Sequence, residues 1–264
     1  MKGSLLVTDR VPVGRTSEEQ AEEQAFQALY GEWAPMTPVE FAREMEGFER
    51  PWWVVGGWAI EAATGYRRDH EDTDVSILAC DVPAFVEFMK GRWHVWNNVG
   101  GVLHPLGDHW TTVDEPGSQL WLRASAKEPW ILDLPPTPDA DGLWTNKFLP
   151  DHVAHVEDVT WVADDNIRYL LPEIVLVYKA RLRRAKDEPD FEATLPVLTD
   201  ARRAWLVKRS RHWCPTITGW IVCSARQPRD ASPKTTALGR LPGQAVIKPS
   251  GWSRRARALL PPRR

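Results

Sequence analysis

Two aspartates, Asp72 and Asp74, stand at the head of an apolar run formed by Val75, Ile77 and Leu78. In an extended chain, residues two apart project to one side with Cα atoms about 6 to 7 Å apart, so such a pair can share a hard metal ion. Upstream, Gly56 and Gly57 follow the apolar run Trp52 to Val55 and precede a helical pattern. Glycine there lets the backbone pass close to a ligand and offers free N–H groups to an anion at a helix start. Asp133, in the segment WILDLPP, is a lone carboxylate among Ile131, Leu132 and Leu134, in a strand pattern that can bring a third acid to the same face. Further on, Lys179, Arg183 and Lys186 fall at i, i+4 and i+7 of a helical pattern, a basic stripe suited to an anionic ligand.

The elements that must position these residues follow from periodicity and punctuation. Ser17 to Tyr30 reads as an acidic helix with a thin apolar face, and Thr37 caps a second helix beginning PVEFARE. Trp52 to Val55 forms a strand, Gly57 to Thr64 a short helix ended by Gly65, and Thr73 to Ala79 the next strand. Val82 to Lys90 is amphipathic, with Pro83 near its start and Gly91 beyond its end. Strands are expected at His94 to Asn97, Gly101 to His104, Gln119 to Ala124, Pro129 to Leu134 and Val159 to Val162. Pro172 opens a helix through Lys186, Asp187 caps another, and Asp200 starts a third. The fold expected is α+β, a mixed β-sheet flanked by helices with a small C-terminal helical subdomain. Its divisions are an N-terminal helix and lead-in at 1–36, a catalytic domain at 37–165, the helical subdomain at 166–210 and a basic tail of low order at 211–264.

Charge is distributed unevenly. Of the 33 Lys and Arg, 13 lie from Lys208 onward, where Asp230 is the single one of the 36 acids; the first 207 residues therefore hold 20 basic and 35 acidic side chains. An acidic body of about −15 disfavours non-specific nucleic-acid binding and suits a cationic substrate, leaving any nucleic-acid contact to the tail. The opening residues MKGSLLVTDR lack the pattern of a signal peptide, and no apolar stretch approaches the roughly 20 residues of a membrane span, so a cytoplasmic protein is expected. Cys80, Cys214 and Cys223 show no CxxC spacing, and Cys80 reads as a small buried residue. His104, His109, His152 and His155 have no metal-ligand spacing and read as surface or turn residues, while Trp52, Trp53, Trp58 and Trp130 read as core and pocket wall.

With GGWA at Gly56 to Ala59 and RDHEDTD at Arg68 to Asp74 in view, the chain resembles the nucleotidyltransferase superfamily that includes DNA polymerase beta. The nearer likeness is to bacterial aminoglycoside and lincosamide nucleotidyltransferases, and it extends through Pro172 to Leu198. That resemblance implies a nucleotidyltransferase fold and transfer of a nucleoside monophosphate, AMP from ATP, to a hydroxyl of a small molecule such as an aminoglycoside antibiotic. It implies two Mg²⁺ ions held by Asp72, Asp74 and Asp133, a triphosphate cradled by Gly56 and Gly57, and Lys179 facing its charge. For Arg68 a phosphate contact is expected, and for His70 a hydrogen bond that orders the loop; neither role is part of what the resemblance implies.

Each residue also has a plainer reading. RRDHEDTD alone is an ordinary solvated turn, the lysine stripe alone is an exposed helix face, and Asp133 alone is a strand-end turn residue before Pro135; GGWA at its upstream distance makes them a site. Two further functions fit the same residues: an enzyme of toxin type that modifies tRNA or protein, and a non-catalytic nucleotide- or nucleic-acid-binding protein working through its tail.

Overall fold

The computed structural model describes residues 17–107, 113, 117–182, 184 and 187–210. Expectations for His109, Arg183, Lys186, Cys214, Cys223 and the basic tail lie outside the described residues. The helices are α1 (Ser17–Tyr30), α2 (Pro38–Glu44), α3 (Gly56–Thr64), α4 (Val82–Met89), α5 (Val156–Val159), α6 (Pro172–Leu182), α7 (Glu188–Thr194) and α8 (Asp200–Ser210). The strands are β1 (Trp52–Val54), β2 (Val75–Ile77), β3 (His94–Val99), β4 (Val102–Pro105), β5 (Gln119–Arg123), β6 (Leu132–Leu134), β7 (Asp139–Ala140), β8 (Leu143–Asn146), β9 (Leu149–Ala154), β10 (Thr160–Val162) and β11 (Arg168–Leu170). The expected α+β class is what the chain adopts.

One four-stranded sheet runs β10-β11-β1-β2, with β1 parallel to β11 and antiparallel to β2. A second runs β4-β3-β5-β6 and is antiparallel throughout. Parallel bridges at Asp74↔Asp133 and Leu78↔Thr137 join them along β2 and β6. The Thr137 amide donates to Ile77 O at 2.8 Å, and the Ala79 amide donates to Thr137 O at 2.9 Å. A smaller sheet, β7-β8-β9, stands apart from both.

The core forms because the strands beneath the helices are apolar on both faces, as strands covered on each side must be. Trp53, Val54, Val75 and Ile77 from the first sheet and Leu120, Leu122, Leu132 and Leu134 from the second are buried with Ile60, Phe85 and Met89. Truncating one of the larger of these to Ala is expected to cost about 3–5 kcal/mol. A second cluster lies under α1, where Phe26 meets Trp121 and Trp130, with Tyr30, Trp33, Trp96 and Leu103 around them. The Arg123 guanidinium lies 4.1 Å above the Trp130 ring and 4.8 Å from that of Trp96.

Three expectations need correction. The hairpin β7 to β9 was not anticipated, because Asp139, Thr145, Asn146, Asp151 and His152 break the apolar alternation that announces a strand. Arg168–Leu170 is a strand in the first sheet, parallel to β1, so the expected helical subdomain from 166 opens on a strand that belongs to the sheet. Cys80 is exposed rather than buried; partial burial, then the nearby carboxylates of Asp139 and Asp81, push its thiol up to about 11, which keeps it protonated near neutral pH.

Candidate active site

The unit from β1 through α3 to β2 is built by local rules. Val55 precedes α3 in extended conformation with no side-chain cap, leaving the helix's first amides to other partners. Gly65, at φ 72°, ends the helix in the left-handed region that favours glycine. At the other end Gly56 has φ 66°, and a Cβ placed on it would collide with Asp74 Oδ2. Both requirements select glycine, and the second brings the Asp74 carboxylate hard against the backbone at the start of α3. The Val55 amide donates to Asp74 O at 2.9 Å, which closes the same corner.

Gly57 answers to a different neighbour: a Cβ there would strike the Arg68 guanidinium and the His70 ring, with His70 Nδ1 at 2.7 Å. The charged loop Arg67 to Asp74 thus folds over the glycine turn. His70 is fixed from two sides, its Nε2 2.7 Å from Glu61 Oε2 and its ring stacked 4.1 Å from that of Trp58. Thr73, 1 % exposed, sends its Oγ1 to Met36 O at 2.5 Å.

The strand bearing Asp133 is laid beside this loop by the bridge that pairs Asp74 with Asp133, which is 6 % exposed. Two of the three expected acids are therefore adjacent, and Asp72 lies two residues before one of them. Among the described residues, no three His, Cys, Asp or Glu side chains are gathered in a group able to hold a metal ion. The donor chemistry present, hard carboxylate oxygens beside a glycine turn without side chains, is of the kind that Mg²⁺ and phosphate oxygens share.

Lys179 departs from the open cation expected of it. The side chain is 2 % exposed, and its Nζ sits 2.7 Å from both Asp187 Oδ1 and Asp190 Oδ2. Arg68 is likewise engaged: its Nε and Nη2 donate to Asp190 Oδ1 and Oδ2 at 3.1 and 3.2 Å, a two-pronged grip. Arg184 donates to both Asp187 oxygens at 2.6 and 2.7 Å. Asp187 thus stands before α7 with no side-chain cap, its carboxylate taken by the cations. Asp187 and Asp190 are the residues that sequence reasoning missed. Their i, i+3 spacing across the start of α7, with Lys179 on the preceding helix, is the signal that could have found them.

A cavity of about 410 Å³ is lined by Ala34, Pro35, Met36, Glu40, Arg43, Glu44 and Ile131; Met36 is the residue whose carbonyl accepts from Thr73. The Thr37 backbone and hydroxyl hydrogen-bond to the Glu40 carboxylate and hold it below the usual carboxylate range. Glu44 accepts from Trp93 Nε1 at 2.9 Å.

No protein-family model matches the sequence. No curated protein matches it. Among solved structures, the chain is similar to ANT(2″)-Ia in complex with adenylyl-2″-tobramycin, at 16 % identity over 72 % of this chain and 98 % of that one, with a TM-score of 0.35. It is similar to the lincomycin-bound lincosamide antibiotic adenylyltransferase LnuA at 17 % identity, over 67 % of this chain and 97 % of that one, with a TM-score of 0.36. The solution structure of ANT(2″)-Ia matches at 17 % identity over 72 % of this chain and 88 % of that one, with a TM-score of 0.32.

Proposed function

We propose that the chain is a nucleotidyltransferase that moves a nucleoside monophosphate, AMP from ATP, onto a hydroxyl of a small, cationic molecule of the aminoglycoside kind. The observation that carries this reading is the corner where Asp74 packs on Gly56 at an uncapped helix start while Asp133 is bridged beside it. The first amides of α3, at Gly56 and Gly57, would receive the triphosphate as hydrogen-bond donors, with the Arg68 guanidinium and the His70 ring packed against the same turn. Asp72, Asp74 and Asp133, although not gathered into a ready three-ligand group among the described residues, are the acids that would hold two Mg²⁺ ions, and these would supply activation of the attacking hydroxyl and neutralisation of the triphosphate. Asp133, the more buried acid, accepts the hydroxyl proton. Arg68 and His70 fix the loop above the glycine turn.

The cavity lined by Met36 and Ile131 serves the acceptor half, since Met36 O holds the Thr73 hydroxyl and Ile131 lies two residues before Asp133. Its volume falls within the range of small-molecule sites, and Glu40 and Glu44 against Arg43 leave its wall net negative, which favours a cation over an anion. The acidic body agrees in sign. Among the described residues no helix is long and apolar enough to cross a membrane.

The test is transfer of label from α-³²P-ATP in Mg²⁺ to a panel of aminoglycosides and lincosamides. The wild-type chain is expected to label at least one acceptor, and Asp74→Asn to label none. Equal labelling by the two proteins would remove Asp74 from the chemistry.

A further inference from the structure

Asp190 is 0 % exposed and has a cation on each flank. Lys179 Nζ, on α6, lies 2.7 Å from its Oδ2, and the Arg68 guanidinium, 122 residues earlier in the chain, spans both of its oxygens. A cluster that only fastened α6 to α7 would be complete with Lys179, Asp187 and Arg184, since each Asp187 oxygen already has its partners. Asp190 extends it to the loop that ends in Asp72 and Asp74.

We propose that Asp190 is a positioning residue: set by Lys179, it grips Arg68 and so holds the loop bearing Asp72 and Asp74 down on the glycine turn. Part of this rests on the nucleotidyltransferase reading, because only there does the placement of those aspartates govern a reaction. Three observations converge on it. The Arg68 guanidinium lies where a Gly57 Cβ would be, so the grip presses directly on the turn. His70, two residues on, is anchored separately to Glu61 and Trp58 of α3, so the grip on α7 is distinct from the loop's foothold on α3. Burying several charges together adds little to stability compared with an apolar cluster of the same volume, whereas it fixes one geometry. The fork also explains why arginine rather than lysine stands at 68, since only a guanidinium engages both carboxylate oxygens at once.

The experiment compares wild type, Asp190→Asn and Arg68→Lys by backbone hydrogen exchange, and then by transfer kinetics. Asparagine keeps the shape of the side chain and removes its charge; Arg68→Lys, at a side chain 18 % exposed, keeps the charge, removes the fork and leaves the α6–α7 cluster intact should Asp190→Asn fail to fold. Amides of residues 66–74 are expected to exchange about tenfold faster in both variants, with α6 amides unchanged in Arg68→Lys, as for a local opening. The rate constant kcat is expected to fall by roughly 10- to 100-fold through misplacement, with KM for ATP held within about twofold. Unchanged exchange at 66–74 in Arg68→Lys would overturn the proposal. So would faster exchange with transfer kinetics equal to wild type. If the wild type transfers no nucleotide at all, the functional reading fails, while the exchange result still decides whether Asp190 holds the loop.

Discussion

The glycine turn at Gly56 and the ion cluster at Lys179 both hold the same loop, yet they are written in the sequence in different ways. The turn is a short-range device. Its glycines, its helix and its aspartates lie within about twenty residues of one another, and the demand that makes Gly56 obligatory, a carboxylate 18 positions on, sits inside the same motif. The cluster is a long-range device. What Lys179 does is decided by Asp187 and Asp190 folding back onto it and by Arg68 arriving from another element. Periodicity gives the direction in which a lysine points along its helix, and it carries no information about which acids will be waiting there. A basic stripe with its charge open to a ligand and a buried cation with its charge consumed are the same string of letters.

Breaking each device should therefore look different. The largest effect on stability is expected at Lys179→Met, which leaves two buried carboxylates with one cation fewer; the loss in urea unfolding should be about 3–5 kcal/mol. A change under 1 kcal/mol would restore the open cation that the helix pattern suggested. Gly56→Ala strikes the short-range device. A non-glycine residue at a φ of 66° costs about 1–2 kcal/mol, and its methyl must displace Asp74. Thermal unfolding should register the first, and nucleotide transfer should be lost through the second. If Gly56→Ala keeps wild-type transfer, the contact with Asp74 is not part of the site.

The smallest effect sharpens the contrast at a third place, where α8 docks on β9. His152 packs between Trp144 and Trp205, at ring separations of 5.2 Å to each. Burial, then the positive charge of Arg209, lowers its pKa below the ordinary value, with Asp151 opposing. The folded protein thus binds this proton less readily than the unfolded chain does. Stability from this group is complete above the unfolded value near 6.5 and is lost as pH falls below it. Between pH 7.5 and 5.5, wild type should lose more stability than His152→Phe, read as a difference in Tm. An identical pH dependence would place His152 in solvent.

What could be read from the sequence follows the same division. The cap at Thr37, the helix end at Gly65, and β1, α3 and β2 within a residue or two of expectation are all local. So is Asp133 as a lone acid within a strand, although that its strand would lie beside Asp74 rests on pairing across sixty residues. The strands β7 to β9 were hidden because the polar Thr145, Asn146, Asp151 and His152 interrupt the apolar pattern, although β8 buries Trp144 and Asn146. β11 was hidden because Arg168, Tyr169 and Leu170 run almost directly into the helix that Pro172 opens, and the partner that makes them a strand, β1, comes from a distant part of the chain. Asp187 was read as a cap because Asp before a helix usually is one; here stronger, charged partners claim its carboxylate.

The central claim is that Asp74 and Asp133, paired by one of the bridges that join two sheets, act as one catalytic unit. Nucleotide transfer by Asp74→Asn, Asp133→Asn and the double variant tests it most directly. Residues that work as a unit are strongly non-additive, so each single variant should lose nearly all activity and the double should be no worse than either. Wild-type activity in either single variant, or losses that multiply in the double, would contradict it.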